Sequence, residues 1–442
     1  MTTQRATSEL RSSETPRPSE PSYGVGGRAS EIVAHFGSRA AVDVVQGRVR
    51  AYPGLVSCAP NTLPLYELAC RTLSGKHILD AGCGAGAGTR LLREQFTHVT
   101  GVEVDARALS FARNYAERAE FVQADLCHGL PLDRVDGAAI IDLLGQARSP
   151  ESVLRNVRAC LPARATIFVA EARSYVSQRL PLPVRRAFSL SSLSRLLLRA
   201  GFEVSEVVLD SGSFIAITAR RSDDPAVLAL SEGFHAGARG DLEQARVSFT
   251  KVLPSAAPSF QLEARLGEAE LAFAIGDGDG AARAFFAANE LAPRDERGWT
   301  GLSRLALATG QVDEGLRLAE EAVRREPTEA EPNALGALAA EQLGRANAFA
   351  AWRIASNLAP DDVGIATGLA RVAAAQQNLA FAISVFERLR DYGDTLTPDF
   401  HVTLAWLLLA DGRKNDAALE ARYAATIGPE TPGIADLMQA VA

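Results

Sequence analysis

The 442-residue chain carries no surplus of positive charge. Its 46 Lys and Arg stand against 53 Asp and Glu, a formal net charge of −7. Broad electrostatic capture of nucleic acid needs a basic patch or stripe, so no nucleic-acid partner is expected. Cysteine is sparse: Cys58, Cys70, Cys83, Cys127 and Cys160 are scattered, with no Cys-x-x-Cys and no histidine at ligand spacing. That argues against a disulfide framework and against a metal site, and leaves reduced thiols in a cytoplasmic protein as the expectation. An apolar leader is also missing. Met1 to Pro21 is rich in Ser, Thr, Pro, Glu and Arg, which fits neither a signal peptide nor a membrane span, so a disordered tail over 1–27 and no membrane partner are expected.

What is present begins at residue 78. Ile78-Leu79-Asp80-Ala81 is an apolar run ending in an acid, followed by Gly82-Cys83-Gly84-Ala85-Gly86-Ala87-Gly88 and a helix-like segment, Thr89 to Gln95. Strand, glycine turn and helix in that order build a nucleotide-binding corner, because glycine lets the backbone turn sharply and lets a ligand approach it. About twenty residues on, a second apolar run, Val99 to Val104, carries Glu103 near its end, where an acid suits the two hydroxyls of a ribose. The glycines are spaced G-x-G-x-G, whereas dinucleotide folds use G-x-G-x-x-G and set a pyrophosphate on the helix N-terminus. No Lys or Arg stands in the loop, and Arg90 lies on the helix. The corner suits a ligand with a ribose and no phosphate, which weakens a nicotinamide oxidoreductase reading.

The pattern continues in kind. Apolar runs at 77–81, 98–104, 120–124, 135–141 and 165–171 alternate with helical stretches at 88–95, 106–118 and 150–160. Such alternation predicts a parallel sheet covered on both faces. Leu190 to Ala200 reads as a further helix stopped by Gly201, and Glu203–Leu209 with Ser213–Thr218 reads as a closing antiparallel hairpin. Residues 28–70 read as helical with breaks: Ile32, Val33 and Phe36 share a stripe, Pro53-Gly54 and Pro60-Asn61 interrupt, and Thr62 is placed to cap a helix through Leu65, Leu68 and Ala69.

After Arg221 strands vanish. Pro293 and Pro327 lie 34 apart, and between them stand Trp299, Leu302, Ala306, Gly310 and Ala322. One period earlier are Arg265, Glu268, Ala272, Gly276 and Ala288; later come His401, Leu404, Leu408, Gly412, Ala417, Ala424 and Pro429. Weaker copies fall at Gly233, Gly240, Ala245 and Phe249, at Leu335, Gly336, Ala348, Trp352, Ala355 and Pro360, and at Gly368, Ala382 and Phe386. A period of ~34 residues in two helices, about six times over, makes a helical solenoid.

The first part resembles the class I S-adenosylmethionine-dependent methyltransferases, and the second resembles the tetratricopeptide repeat. The resemblance implies an α/β fold, a doubly wound, mostly parallel seven-stranded sheet with a terminal antiparallel hairpin over 28–221, followed by an all-α tetratricopeptide-repeat solenoid over 222–442. It implies S-adenosylmethionine as cofactor. Asp80 and the loop of Gly82, Cys83, Gly84 and Gly86 would face its methionine end, and Glu103 would accept from both ribose hydroxyls. Val104 and Asp105 would flank the adenine, and Asp125 with Leu126 would lie by the adenine amino group. Ile141 and Asp142, at the carboxyl end of the fourth strand, would stand where cofactor and acceptor meet, with Asp142 as the candidate catalytic group. Many relatives carry an aromatic or a Glu-His pair in this segment, and here Gly145-Gln146 stand instead. Methyl transfer to a small molecule or protein is therefore set against a second reading, a cofactor-binding scaffold without catalysis.

Glu171 and Arg173 are candidates to line the acceptor pocket, with Arg179, Arg185 and Arg186 either its basic mouth or a solvated loop face. His35 and His128 are the histidines to weigh as bases, against the plainer reading of ordinary surface or turn residues, which is favoured. The repeats carry no acid–base pair or metal spacing. Their groove, with Glu270 and Arg304 facing it and Trp406 either facing it or packed in the core, is expected to take a protein or peptide partner, hold a protein substrate or dimerise.

Overall fold

The computed structural model describes residues 43–45, 48–50, 62–175, 184–252, 257–390 and 397–441. The expected tail, the stripe of Ile32, Val33 and Phe36, Cys58, His35 and Arg179 lie outside these residues. Within the region read as broken helix, Asp43–Val45 (β1) and Arg48–Arg50 (β2) instead form a two-stranded antiparallel pair, Asp43 opposite Arg50. The β-branched Val44, Val45 and Val49 favour extended backbone there.

Helix α1 (Leu63–Thr72) leads into the sheet: β3 (His77–Ala81), α2 (Ala87–Gln95), β4 (His98–Glu103), α3 (Ala106–Tyr115), β5 (Glu120–Gln123), β6 (Gly137–Ile141), α4 (Pro150–Cys160), β7 (Thr166–Ala172), α5 (Leu190–Arg199), β8 (Phe202–Asp210) and β9 (Phe214–Arg221). The seven strands run in the order β5-β4-β3-β6-β7-β9-β8. The first five are parallel, whereas β9 is antiparallel to β7 and to β8. The central strands are apolar throughout because both faces are covered. Leu79, Ala138 and Ile140 pack against α4 and α5 on one face. Ile78, Ala139 and Phe168 pack against α1 and α2 on the other. The chain reverses direction across the sheet between β3 and β6, so the carboxyl ends of β3, β4 and β6 border one crevice, the place where open α/β sheets hold ligands.

Beyond β9 the described chain is helical: α6 (Pro225–Ala238), α7 (Leu242–Val252), α8 (Pro258–Ala274), α9 (Gly278–Leu291), α10 (Arg297–Ala308), α11 (Val312–Arg325), α12 (Ala330–Gln342), α13 (Ala348–Leu358), α14 (Val363–Ala375), α15 (Leu379–Arg390), α16 (Pro398–Ala410), α17 (Lys414–Ile427) and α18 (Ile434–Val441). Successive helices pair through short turns, and each turn needs a left-handed residue. Gly240, Gly276, Gly310, Gly344 and Gly412 supply it at φ 78, 80, 76, 65 and 80. In the fifth pair Gln377 takes the same conformation at φ 60, which is why that copy is hard to see in the sequence. Within the array an aromatic ring fills the hole left by a glycine one helix later. A Cβ on Gly267 would stand 2.4 Å from the Phe249 ring, on Gly301 2.2 Å from that of Phe285, and on Gly368 2.5 Å from that of Trp352.

The array packs on the α/β unit through α5, which sits against α6 and faces the start of α8, α10 and α12. A cleft of about 770 Å³ lies between them, bordered by Arg195, Arg199, Glu270, Glu296, Arg304 and Glu329. Glu270 and Arg304, read as facing a groove, do border this cleft, and they are ion-paired to each other. Trp406 is 40% exposed.

Candidate functional site

Asp80, the penultimate residue of β3, is fully buried. Its two carboxylate oxygens accept from the Tyr66 hydroxyl of α1 at 2.8 Å and from the Thr89 hydroxyl of α2 at 2.6 Å. Burial lifts its pKa to about 6 against these two bonds, and the charge of Glu103 pushes the same way. Asp80 thus ties both flanking helices to the strand beneath the loop. Tyr66 and Thr89 were not singled out from the sequence. The one signal was a hydroxyl on each helix face that the apolar pattern turned inward.

The loop above it is held by backbone bonds: the Gly82 and Cys83 N–H groups both donate to the Val102 carbonyl, at 2.9 and 3.0 Å. Gly82, Gly84 and Gly86 all sit in the left-handed region, at φ 76, 53 and 84, so the alternate spacing has a conformational cause. Their surroundings differ. A Cβ on Gly82 would be 2.9 Å from Leu143, and one on Gly86 2.8 Å from Ala112, while one on Gly84 meets nothing within 4 Å. Packing demands the outer two glycines, and the middle one bares its face. Cys83 is buried beside Gly101, and burial, with Asp80 and Glu103 adding to it, drives its thiol pKa well above the ordinary value. It is a small packed side chain with no thiolate character.

Glu103 ends β4 with only 7% of its surface exposed. One oxygen accepts from the Val104 N–H at 2.7 Å and the Asp105 N–H at 3.1 Å. The other accepts from the Gly84 N–H at 3.1 Å. The carboxylate bridges the strand end to the bare glycine, and about four lone-pair positions leave it room to accept further bonds. Val104, next to it, is 57% exposed, an apolar side chain at the lip of the crevice. Asp105 caps α3 by accepting from the Arg107 N–H.

Asp125 follows β5 and turns the chain. Its side chain accepts from the Cys127 N–H at 2.8 Å and pairs with His128 at 2.9 Å. Burial pushes its pKa up, but those two partners outweigh it and the net shift is downward. His128 is thereby committed to an exposed hydrogen bond with Asp125. Leu126 and Ile141 are buried in the two sheet cores.

Asp142, at the end of β6, takes a left-handed φ of 54, a conformation rare for residues other than Gly, Asn and Asp. The loop after it is fastened from below by Glu171 of β7. That carboxylate, fully buried, accepts from the backbone N–H groups of Leu143 at 3.0 Å, Leu144 at 2.6 Å and Gly145 at 3.0 Å. Burial raises its pKa to about 8, with Asp142 pushing the same way and the three N–H bonds pulling it down. The reading of Glu171 as a pocket-lining residue is corrected: it lies wholly inside the fold, because three convergent N–H groups enclose it. Arg173 is ion-paired to Asp210. Arg185 and Arg186, read as a basic mouth or a solvated face, are buried and half-buried, and both pair with Asp361 of the helical array.

The structure thus gathers the glycine loop, Glu103 and Val104 at the carboxyl ends of β3 and β4, with Asp80 buried beneath them and Asp142 on the neighbouring strand end. Asp125 stands at the end of β5 with its carboxylate engaged in its own turn. Among the described residues no group of His, Cys, Asp and Glu could hold a metal ion, and no helix is long and apolar enough to cross a membrane.

Residues 64–207 match the family described as a methyltransferase domain. A ubiquinone biosynthesis O-methyltransferase of Coxiella burnetii is 28% identical over 102 residues, 22% of this chain and 44% of that protein. A trans-aconitate 2-methyltransferase of Paracidovorax citrulli is 40% identical over 75 residues, 16% of this chain and 29% of that protein. The chain therefore spans less than half the length of these two relatives. Among solved structures, an S-adenosylmethionine-dependent methyltransferase from Aquifex aeolicus is 18% identical, with 37% of this chain and 94% of that one covered at a TM-score of 0.33. The match to a methyltransferase domain thus spans the sheet from helix α1 into β8.

Proposed function

We propose that this chain transfers the methyl group of S-adenosylmethionine to an acceptor at the crevice bordered by β3, β4 and β6, with the helical array serving as a tetratricopeptide-like scaffold. The observation that carries the reading is Gly84: a left-handed glycine with open space before it, its N–H held by a carboxylate that has lone pairs to spare. Such a cradle admits an adenosine close to the backbone and offers no cation for a phosphate. In this reading Glu103 accepts from the ribose hydroxyls and Val104 lies against the adenine. Gly82, Cys83 and Gly86 shape the loop at the methionine end, and Asp80 positions it from beneath. When bound, S-adenosylmethionine supplies a methyl already activated on a sulfonium. The protein's share is to hold acceptor and cofactor in line, which supplies much of the barrier reduction. Asp142 is the side chain assigned to the acceptor, placed by its left-handed backbone and the Glu171 cradle. An acceptor bearing an O–H requires a base in this position.

A second reading, cofactor binding without transfer, draws on the loop Leu143–Ala147. It has no titratable side chain, and its N–H groups are taken up, three by Glu171 and those of Gln146 and Ala147 by the Leu143 carbonyl.

Titration calorimetry with S-adenosylmethionine tests the first claim. Saturable binding is expected, and Glu103→Ala should weaken it tenfold or more, since bonds to a charged acceptor contribute ~1.5–3 kcal/mol. Undiminished binding by a folded Glu103→Ala variant rejects the assignment. Incubation with methyl-labelled cofactor and cell extract then separates the two readings: label moving to a small molecule or protein supports transfer, and binding with no label transferred supports the scaffold.

A further inference from the structure

The array meets the methyltransferase unit through acids that recur once per helix pair. Glu263, Glu296, Glu329 and Asp361 lie 33, 33 and 32 residues apart. Opposite them stands a row of arginines. Arg199 pairs with Glu263 at 3.7 Å, and Arg195 pairs with Glu296 at 3.0 Å and Glu329 at 2.8 Å. These three acids hold α5, on the face of the sheet away from α1 and α2. The fourth, Asp361, reaches Arg185 at 3.2 Å and Arg186 at 3.7 Å.

These two arginines do not belong to α5. Their backbone N–H groups both donate to the Gly145 carbonyl, at 2.8 and 3.2 Å. The Arg185 side chain donates to the Gln146 carbonyl at 3.2 Å, and that of Arg186 to the Ala147 carbonyl at 3.0 Å. The loop after Asp142 is thus gripped twice. Glu171 takes the N–H groups of Leu143, Leu144 and Gly145 from within, and the arginine pair donates to the carbonyls of Gly145, Gln146 and Ala147 from outside. The side chains of Arg185 and Asp361 are only 7% and 19% exposed. Two adjacent, poorly hydrated guanidinium groups repel each other, and a buried charge needs an opposite partner to stay where it is.

We infer that Asp361 is a positioning residue for the acceptor-side loop, so that the helical array completes a wall of the methyl-transfer site. The inference rests on the reading of that crevice as the transfer site. It makes the array part of the enzyme's own machinery as well as a scaffold.

The test compares full-length wild type with Asp361→Arg, Asp361→Asn and Asp361→Glu. Glu341→Gln serves as a control that weakens a more exposed ion pair, to Arg371, elsewhere on the array. Hydrogen exchange is read on peptides covering Leu143–Ala147. Asp361→Arg is expected to speed exchange there tenfold or more, Asp361→Glu to restore wild-type protection, and Glu341→Gln to change nothing. Peptides from β3 and β6 should keep their protection, and the calorimetric affinity for S-adenosylmethionine should stay within threefold. Unchanged exchange of Leu143–Ala147 in Asp361→Arg overturns the inference, as does a rise shared equally by the strands. Should Asp361→Arg fail to fold, Asp361→Asn is read by the same criteria. A wild type that binds no S-adenosylmethionine defeats the functional reading by itself, and the exchange result still decides whether Asp361 holds the loop.

Discussion

Gly84→Ala separates a ligand cradle from a mere tight turn. At φ 53 an alanine must sit in the left-handed region, at a cost of about 1–2 kcal/mol. No steric penalty adds to that, since the new Cβ has nothing within 4 Å. For a cooperative unit of about 150–250 residues this lowers the melting temperature by roughly 2–8 °C, and the protein stays folded. If adenosine packs on the bare face of Gly84, the added methyl overpacks a fitted site, typically by about 1–3 kcal/mol, a ~5- to 150-fold loss of affinity. Gly82→Ala is the contrast: its Cβ meets Leu143 at 2.9 Å, so stability should suffer more than in Gly84→Ala. The assay pairs thermal unfolding with calorimetric titration of S-adenosylmethionine. A Gly84→Ala protein that is folded and binds within twofold of wild type refutes the claim that a ligand approaches this backbone.

Two further outcomes follow from the buried ionisable groups. Glu171 is lifted from 4.5 to about 8, so the native state keeps a proton that the unfolded chain releases. Its contribution to stability is full below about pH 4.5 and is lost as pH rises to about 8. Chemical denaturation should show the wild type losing stability across that window, on the order of a few kcal/mol, and Glu171→Gln should be flatter; parallel curves would show that Glu171 does not titrate this way. Arg195→Ala strips Glu296 and Glu329 of their shared cation. Removing one partner of a buried pair costs about 3 kcal/mol or more, so the variant should melt at lower temperature, and an unchanged melt would mean that α5 is held to the array by packing alone.

Much of the α/β unit was legible before any coordinate. Its central strands are buried on both faces, so apolar runs stand out at 77–81, 98–104 and 135–141, and glycine at 82, 84 and 86 is needed for a backbone that other residues resist. The closing hairpin was readable for the same reason of alternation and turn chemistry. In the array, Gly240, Gly276, Gly310 and Gly412 marked the turns, whereas Gln377 hid one, because a side chain can be forced into the left-handed region once its neighbours are packed.

The sequence by itself determined what local backbone physics controls: where strands end, where glycine must stand, and where an acid follows the second strand. Only the tertiary structure decided which groups those acids meet. It turned Asp80 inward onto Tyr66 and Thr89, enclosed Glu171 in three N–H groups, and brought Asp361 to arginines 176 and 175 residues earlier in the chain. The physical reason is that a buried ionisable group is satisfied by whatever donors the packing delivers to it: the acids of the array recur with its period, but nothing in that period names the arginines they meet.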